Sequence, residues 1–245
     1  MQNSDQHRPW VVLPLKSVET SNSRLSAILS PAERRYLSLS MVSDVLDVLL
    51  GVHQLGGILV ITNCNAIRRY LDDFDVQVLE ENNPTNLNDA ITKAIQFLAH
   101  NGVNNFFTIP ADVPLLDHLE VNQLIEFSLS NDGITLVPSR DGVGTNSIMS
   151  NIPMIIRPQF GENSFAVHVQ SAEQSGVSVN ILKLPGLGFD VDWPSDLLRL
   201  AAMEGGSKTQ EFISQLDLIY RGYDGGSLAA SGSQQVRLGV VNYEH

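Results

Sequence analysis

Three aspartates in this 245-residue chain stand where a carboxylate needs a chemical reason. Asp112 lies in FFTIPADVPLL (residues 106–116), an apolar stretch in which Pro110 and Pro114 flank it. Prolines restrict the backbone at and before their own positions, so they hold the carboxylate in one direction. Asp190 and Asp192 stand two residues apart in FDVDWP, and in an extended segment such residues point to the same face. Carboxylates side by side repel unless a cation or a proton lies between them. Three of them suit Mg²⁺ or Mn²⁺, which take oxygen ligands. Plainer roles compete: Asp112 can be the N-cap of a following helix, and Asp192 can cap the helix that begins near Pro194.

Two loops have the composition of anion sites. SRDGVGTNSI (139–148) is glycine-bearing, with Arg140, Thr145 and Asn146, and can either wrap an anion with backbone N–H groups and the Thr hydroxyl or form a hairpin turn. FGENSF (160–165) leads into a helix. There Gly161 permits close backbone approach and Ser164 lies near the helix N-terminus, where free N–H groups and the dipole favour phosphate, although Asn163 or Ser164 can simply cap that helix. Lys16 and Arg24 follow the first strand, where nucleotide phosphates sit in doubly wound folds, but the loop is neither a Walker A nor a G-x-G-x-x-G motif. The six histidines show no metal spacing, and no serine sits in a nucleophile elbow.

The elements that must position these groups alternate. WVVLPLK (10–16), GGILVIT (56–62), VQVLEE (76–81), NNFFTIPAD (104–112) and GITLVPS (133–139) read as strands. The continuously apolar ones suit a parallel sheet buried on both faces. Between them, SPAERRYLSLSMVSDVLDVLLG predicts a helix with Ser30 as N-cap, Pro31 in first position, Glu33 closing a capping box and Gly51 at the stop. NLNDAITKAIQFLAHNG predicts another, capped by Asn86 or Asn88, and LEVNQLIEFSLS a third. Further along, TNSIMS and VNILKLPG read as strands and the stretches after Gly161 and Pro194 as helices. The pattern predicts an α/β fold: a mostly parallel sheet with helices on both faces, and a ligand crevice beyond the carboxyl ends of the strands. One domain is expected over residues 10–203. A Gly- and Ser-punctuated tail follows over 204–245, with one short helix near 210–220.

The formal net charge of −12 disfavours non-specific binding to nucleic acid or to an anionic membrane. The single cysteine, Cys64, rules out an internal disulfide and a cysteine-based zinc site. No apolar run is long enough to span a bilayer, and MQNSDQHRPW lacks the features of a signal peptide, so the expectation is a soluble, cytoplasmic protein.

Taken in order, the RLS loop with Lys16, LSPAERR, LNDAI, PADVPLL, RDGVGTNSI, FGENSFAVHV and LPGLGFDVDWPSDL resemble the CofC/FbiD family of nucleotidyltransferases over residues 10–200. The resemblance implies a Rossmann-like, MobA-type nucleotidyltransferase fold. It implies transfer of GMP from GTP to phosphoenolpyruvate, 2-phospho-L-lactate or 3-phospho-D-glycerate in coenzyme F420 biosynthesis, with release of pyrophosphate. It assigns Asp112, Asp190 and Asp192 to a metal ion and the seating of the acceptor. Thr145, Gly161 and Ser164 are assigned to the acceptor, and Lys16, Arg24 and Asn88 to the nucleotide, with Lys16 also among the catalytic groups. A homodimer is compatible with it. The family's usual lysine is Asn22 here, and its glycine and alanine before the nucleotide-side helix are Asn86 and Asp89. Other readings of the same residues are a nucleotidyltransferase acting on a molybdopterin-type or sugar-phosphate acceptor, and a non-catalytic nucleotide-binding protein.

Overall fold

Trp10–Leu15 (β1) and Gly57–Thr62 (β2) pair in parallel with Trp10 opposite Gly57 and Leu15 opposite Thr62. Gly57 lets the Trp10 ring lie close against the backbone there: a Cβ would fall 2.6 Å from that ring. In the computed structural model, which describes residues 8–15, 17, 22–81, 86–216 and 218, these strands belong to a seven-stranded sheet. The others are Gln77–Glu80 (β3), Asn105–Thr108 (β4), Ile134–Pro138 (β5), Thr145–Asn151 (β6) and Val179–Ile181 (β7). The order is β3-β2-β1-β4-β6-β5-β7. Only β6 runs against the rest, because it returns from β5 as a hairpin and inserts beside β4.

Period-two alternation buries both faces of the central strands. Val11 and Leu13 of β1 turn to one side, with Val60 and Phe107, and there pack the helices Pro31–Leu50 (α1), Asn65–Leu71 (α2) and His118–Leu129 (α4). Val12, Leu59, Ile61 and Phe106 turn to the other, against Leu87–His100 (α3). The α3 stripe of Ala90, Ile91, Ala94, Ile95 and Leu98 follows the 3.6-residue period, and burying each large side chain in it contributes about 2 kcal/mol. Ser164–Gln174 (α5) covers β5 and β6 on that same side. The α1 capping box forms as expected: Ser30 accepts from the Glu33 N–H and Glu33 reaches back to the Ser30 N–H.

Local differences from the sequence expectation have physical causes. Helix α2 was not expected. It has seven residues, with Ile67 and Leu71 its only buried ones, too few for a visible period. Asn86 caps α3, accepting from the Asp89 N–H, while Asn88 lies inside the helix. Packed structure also continues past the boundary expected at Met203. Lys208–Ser214 (α7) docks on α1 and Pro194–Ala201 (α6), burying Phe212 and Ile213 beside Leu37, Met41, Leu197 and Leu200. Residue 217 and the remainder of the expected tail, 219–245, lie outside the described residues. No helix among the described residues is long and apolar enough to cross a membrane.

Candidate active site

The sheet reverses its winding between β1 and β4, where chain connections diverge and leave a crevice at the strands' carboxyl ends. A cavity of about 660 Å³ opens there. It brings together Asp112, Asp190, Asp192, Thr145, Gly161, Ser164 and Arg24, seven of the residues expected from sequence. Lys16 lies outside the described residues. Asn88 does not line the cavity: its carboxamide accepts from the Phe160 N–H at 2.7 Å and donates to the Phe160 carbonyl at 3.0 Å. It therefore ties α3 to the segment before α5.

Asp112 follows β4 and caps no helix; Asp117 caps α4. The Asp112 carbonyl accepts from the Val191 N–H at 2.9 Å, which pins the DVD segment alongside it. Its Oδ1 is shut off from solvent with no hydrogen-bond partner. Burial, with Asp192 and Asp190 adding repulsion, pushes its carboxyl up to about 7. Asp190 accepts from Asn146, whose Nδ2 also donates to the Leu187 carbonyl at 2.9 Å. Asp192 takes a cation instead of a helix end: Arg24 pairs with it and stacks over Trp193, 5.0 Å from the ring centre. Burial raises the Asp192 carboxyl above its ordinary range against the pull of Arg24.

Among the described residues no three His, Cys, Asp or Glu side chains form a group able to hold a metal ion by themselves. The predicted trio shares a cleft without closing into a cage, since Arg24 engages Asp192. A divalent ion still fits the donor chemistry. Asp112 presents an unpartnered carboxylate oxygen, and Mg²⁺ is held by one or two carboxylates together with substrate phosphates. The charge balance points the same way. Asp112, Asp141, Glu162, Asp190, Asp192 and Asp196 line the cavity, against Arg24 and Arg140 as the cations among its described lining residues.

Two supporting groups, Asp196 and Glu120, escaped sequence reasoning. Asp196 is buried in α6; its Oδ2 accepts from the Asp192 and Trp193 N–H groups, reaching back from the third helical position to the segment that precedes the helix. Its Oδ1 holds Arg140 at 2.7 Å, whose guanidinium lies 4.7 Å over the Phe189 ring. Glu120 on α4 accepts from the Gly186 and Leu187 N–H groups, both at 2.7 Å, and so fixes the turn that feeds the DVD segment. Only Asp196 left a readable signal, an acid three residues after Trp193 in WPSD.

The two anion loops resolve differently from their composition. Residues 139–144 form a self-satisfied hairpin: Gly142 N–H donates to the Ser139 carbonyl, Val143 N–H to Asp141 and Gly144 N–H to the Ser139 hydroxyl. Those N–H groups are spent, so the loop is the hairpin rather than a backbone cradle. At the start of α5, Asn163 adopts a left-handed φ of 55° and makes no side-chain cap. The Ser164 N–H donates to the Gly161 carbonyl and the Phe165 N–H to the Val143 carbonyl. Beside this segment, Thr145 and Ser164 both line the cleft. They are joined because the Thr145 N–H donates to Ser164 Oγ at 2.9 Å. Asn22, at the family's lysine position, holds a left-handed φ of 54° and donates to Ser38 at 2.8 Å, tying the loop to α1.

A family model described as "Guanylyl transferase CofC like" matches residues 10–228, beyond the 10–200 span of the sequence motifs. The chain is 30% identical over 213 residues to the phosphoenolpyruvate guanylyltransferase of Conexibacter woesei, covering 84% of this chain and 96% of that protein. It is 27% identical over 207 residues to the 2-phospho-L-lactate guanylyltransferase of Methanobrevibacter smithii, covering 84% and 90%. With the 3-phospho-D-glycerate guanylyltransferase of Colwellia psychrerythraea the identity is 29% over 204 residues, covering 83% and 96%. In fold, it superposes on a crystal structure from Desulfovibrio desulfuricans G20 described as a nucleotide-diphospho-sugar transferase. The TM-score is 0.72 at 16% identity, over 89% of this chain and 98% of that one.

Proposed function

The chain belongs to the CofC-like guanylyl transferase family, and from that premise we propose that it transfers GMP from GTP to a phosphorylated three-carbon acid in the assembly of coenzyme F420. The observation that carries this reading is the meeting of three carboxylates with the Thr145–Ser164 hydroxyl pair in one cleft at the winding reversal. The acceptor brings its own nucleophile, a phosphate oxygen already ionised at neutral pH. That oxygen forms a new bond to the α-phosphorus of GTP, the bond from this phosphorus to its β-bridging oxygen breaks, and pyrophosphate leaves with the electron pair. No proton is abstracted, so no general base is required.

The protein's part is to align two anions and offset their repulsion. Asp112 with Asp190 or Asp192 would hold Mg²⁺ or Mn²⁺, and such an ion, once bound, neutralises phosphate charge in a cleft rich in carboxylates. Arg24, stacked on Trp193, meets GTP phosphate by exchanging its hold on Asp192. Thr145 and Ser164 donate to the acceptor's anionic oxygens, and Gly161 leaves room for them, since no protein atom lies within 4 Å of where its Cβ would be. Incubating the purified protein with GTP, Mg²⁺ and, separately, phosphoenolpyruvate, 2-phospho-L-lactate and 3-phospho-D-glycerate, with a sugar phosphate as control, tests the reading by mass spectrometry. A GMP adduct with one three-carbon acid is expected; none with any of them overturns it.

A further inference from the structure

His168 has no part in that chemistry, yet it is fully buried one turn into α5, directly behind the hydroxyl pair. Its two ring nitrogens have different partners. The Gln159 backbone N–H donates to Nε2 at 2.9 Å. Nδ1 lies 3.0 Å from the Thr145 hydroxyl. A backbone N–H is a donor in every protonation state, so Nε2 must be the bare acceptor nitrogen and the proton of the neutral ring sits on Nδ1. The imidazolium form would set a second N–H against that of Gln159. Burial favours the neutral ring as well.

That tautomer fixes the direction of the next bond. Nδ1–H donates, so the Thr145 oxygen accepts, and the Thr145 hydrogen is left to point elsewhere. Ser164 is in the same condition, since its oxygen accepts from the Thr145 N–H. A serine or threonine hydroxyl has one O–H donor and two acceptor lone pairs, and its hydrogen turns to whichever partner is present. Here each oxygen is loaded from behind by an N–H, and each O–H is presented to the cleft as a donor. Beside the hairpin, whose N–H groups at Gly142, Val143 and Gly144 are spent, these two hydrogens are side-chain donors that this wall offers an anion. Groups that need an acceptor, such as a sugar hydroxyl donating its proton, find a poorer match than a phosphate or carboxylate oxygen.

We propose that His168 is the positioning residue that polarises this wall: by donating from Nδ1 it commits the Thr145 hydroxyl to donate to the acceptor's phosphate or carboxylate. The inference rests on the guanylyl-transfer reading for the identity of the anion, but its first test does not. Long-range proton–nitrogen correlation NMR of the wild-type protein at pH 7 should report His168 protonated on Nδ1 and bare on Nε2. The opposite tautomer, or an imidazolium, overturns the proposal without any variant.

The second test is kinetic. In His168→Gln, Oε1 can replace Nε2 as the acceptor for Gln159 while the donor toward Thr145 is lost. In His168→Asn, Nδ2 stands where Nδ1 was and can still donate. Pyrophosphate release should show the KM for the three-carbon acceptor rising about tenfold or more in His168→Gln, because a hydrogen bond to a charged group is weakened, with the KM for GTP within about twofold. His168→Asn should restore most of that loss. In a Thr145→Val background, His168→Gln should add little, since the hydroxyl it acts through is gone. Equal effects on both substrates, or full additivity with Thr145→Val, would overturn the proposal. A wild-type protein that forms no adduct with any acceptor fails the functional reading instead, and the NMR result then stands by itself.

Discussion

Acidifying the protein should cost it stability through His168, by an amount that can be worked from the structure. The folded protein holds this imidazole down to about 4, against an ordinary value of 6.5, and burial is the cause; no charged group contributes. Its surroundings are neutral: the Thr145 hydroxyl on β6, the Gln159 N–H and, edge-on at 5.1 Å, the Phe160 ring. As pH falls below 6.5 the unfolded chain takes up a proton that the folded one refuses. The unfolded state binds more protons, so stability falls with falling pH. This contribution is fully present above pH 6.5 and is lost progressively down to pH 4, with a slope approaching 1.4 kcal/mol per pH unit, about 2 kcal/mol by pH 5 and about 3 in all. Urea unfolding followed by circular dichroism at half-unit steps from pH 8 to 4.5 measures it, with His168→Gln as the reference. Glutamine does not titrate, and the carboxylates shared by both proteins cancel in the difference. The stability advantage of wild type over the variant should be constant above pH 7 and about 2 kcal/mol smaller at pH 5. Parallel curves across that range would refute the placement of a neutral, buried imidazole.

Three further outcomes follow from the cleft. Asp112→Asn should lower turnover by about 100-fold or more while circular dichroism stays native, since it removes the unpartnered carboxylate assigned to charge neutralisation; near-normal turnover removes Asp112 from the site. Arg24→Ala should change folding stability by less than about 1 kcal/mol, because both partners of its ion pair are partly exposed, yet raise the KM for GTP several-fold. An unchanged GTP KM would sink its assignment. Gly161 sits at φ +139° with open space around it, so Gly161→Ala meets backbone strain rather than a clash. Thermal melts should show a loss of about 1–3 kcal/mol, and the acceptor KM should rise with the GTP KM unchanged; a neutral substitution would refute the strain argument.

The parts of this protein legible in its sequence are those governed by interactions between near neighbours. The Ser30–Glu33 capping box spans three residues, so its pattern is visible directly. The same holds for the apolar runs of β1 and β2, whose burial on both faces shows in their composition. The fold class followed from the alternation of such elements, and with it the place of Asp112 past the end of β4, because a parallel sheet delivers its strand ends to one edge; Asp190 and Asp192, in a connection rather than at a strand end, are brought there by the Val191 N–H bond to the Asp112 carbonyl. Helix α2 was hidden by its shortness, and the reversed direction of β6 by the absence of any directional mark in a single strand.

Hydrogen-bond direction and occupancy belong to tertiary structure alone. A sequence displays Gly, Ser and Asp in a loop. It does not display that the Gly144 N–H is already given to Ser139, or that Asn88 is engaged by Phe160, 72 residues away. Arg140 finds its carboxylate 56 residues on in Asp196, and Glu120 reaches the turn at Gly186, 66 residues on. His168 is the sharpest case. Its four-residue spacing with Ser164 and Ala172 marks a buried helix face, but the partners that settle which nitrogen carries the proton sit on β6 and at Gln159. Residue types and local spacing determined which groups this chain could bring to chemistry. Which of them remain free to act was decided by packing, because each donor and acceptor can be spent on a distant neighbour before any substrate arrives.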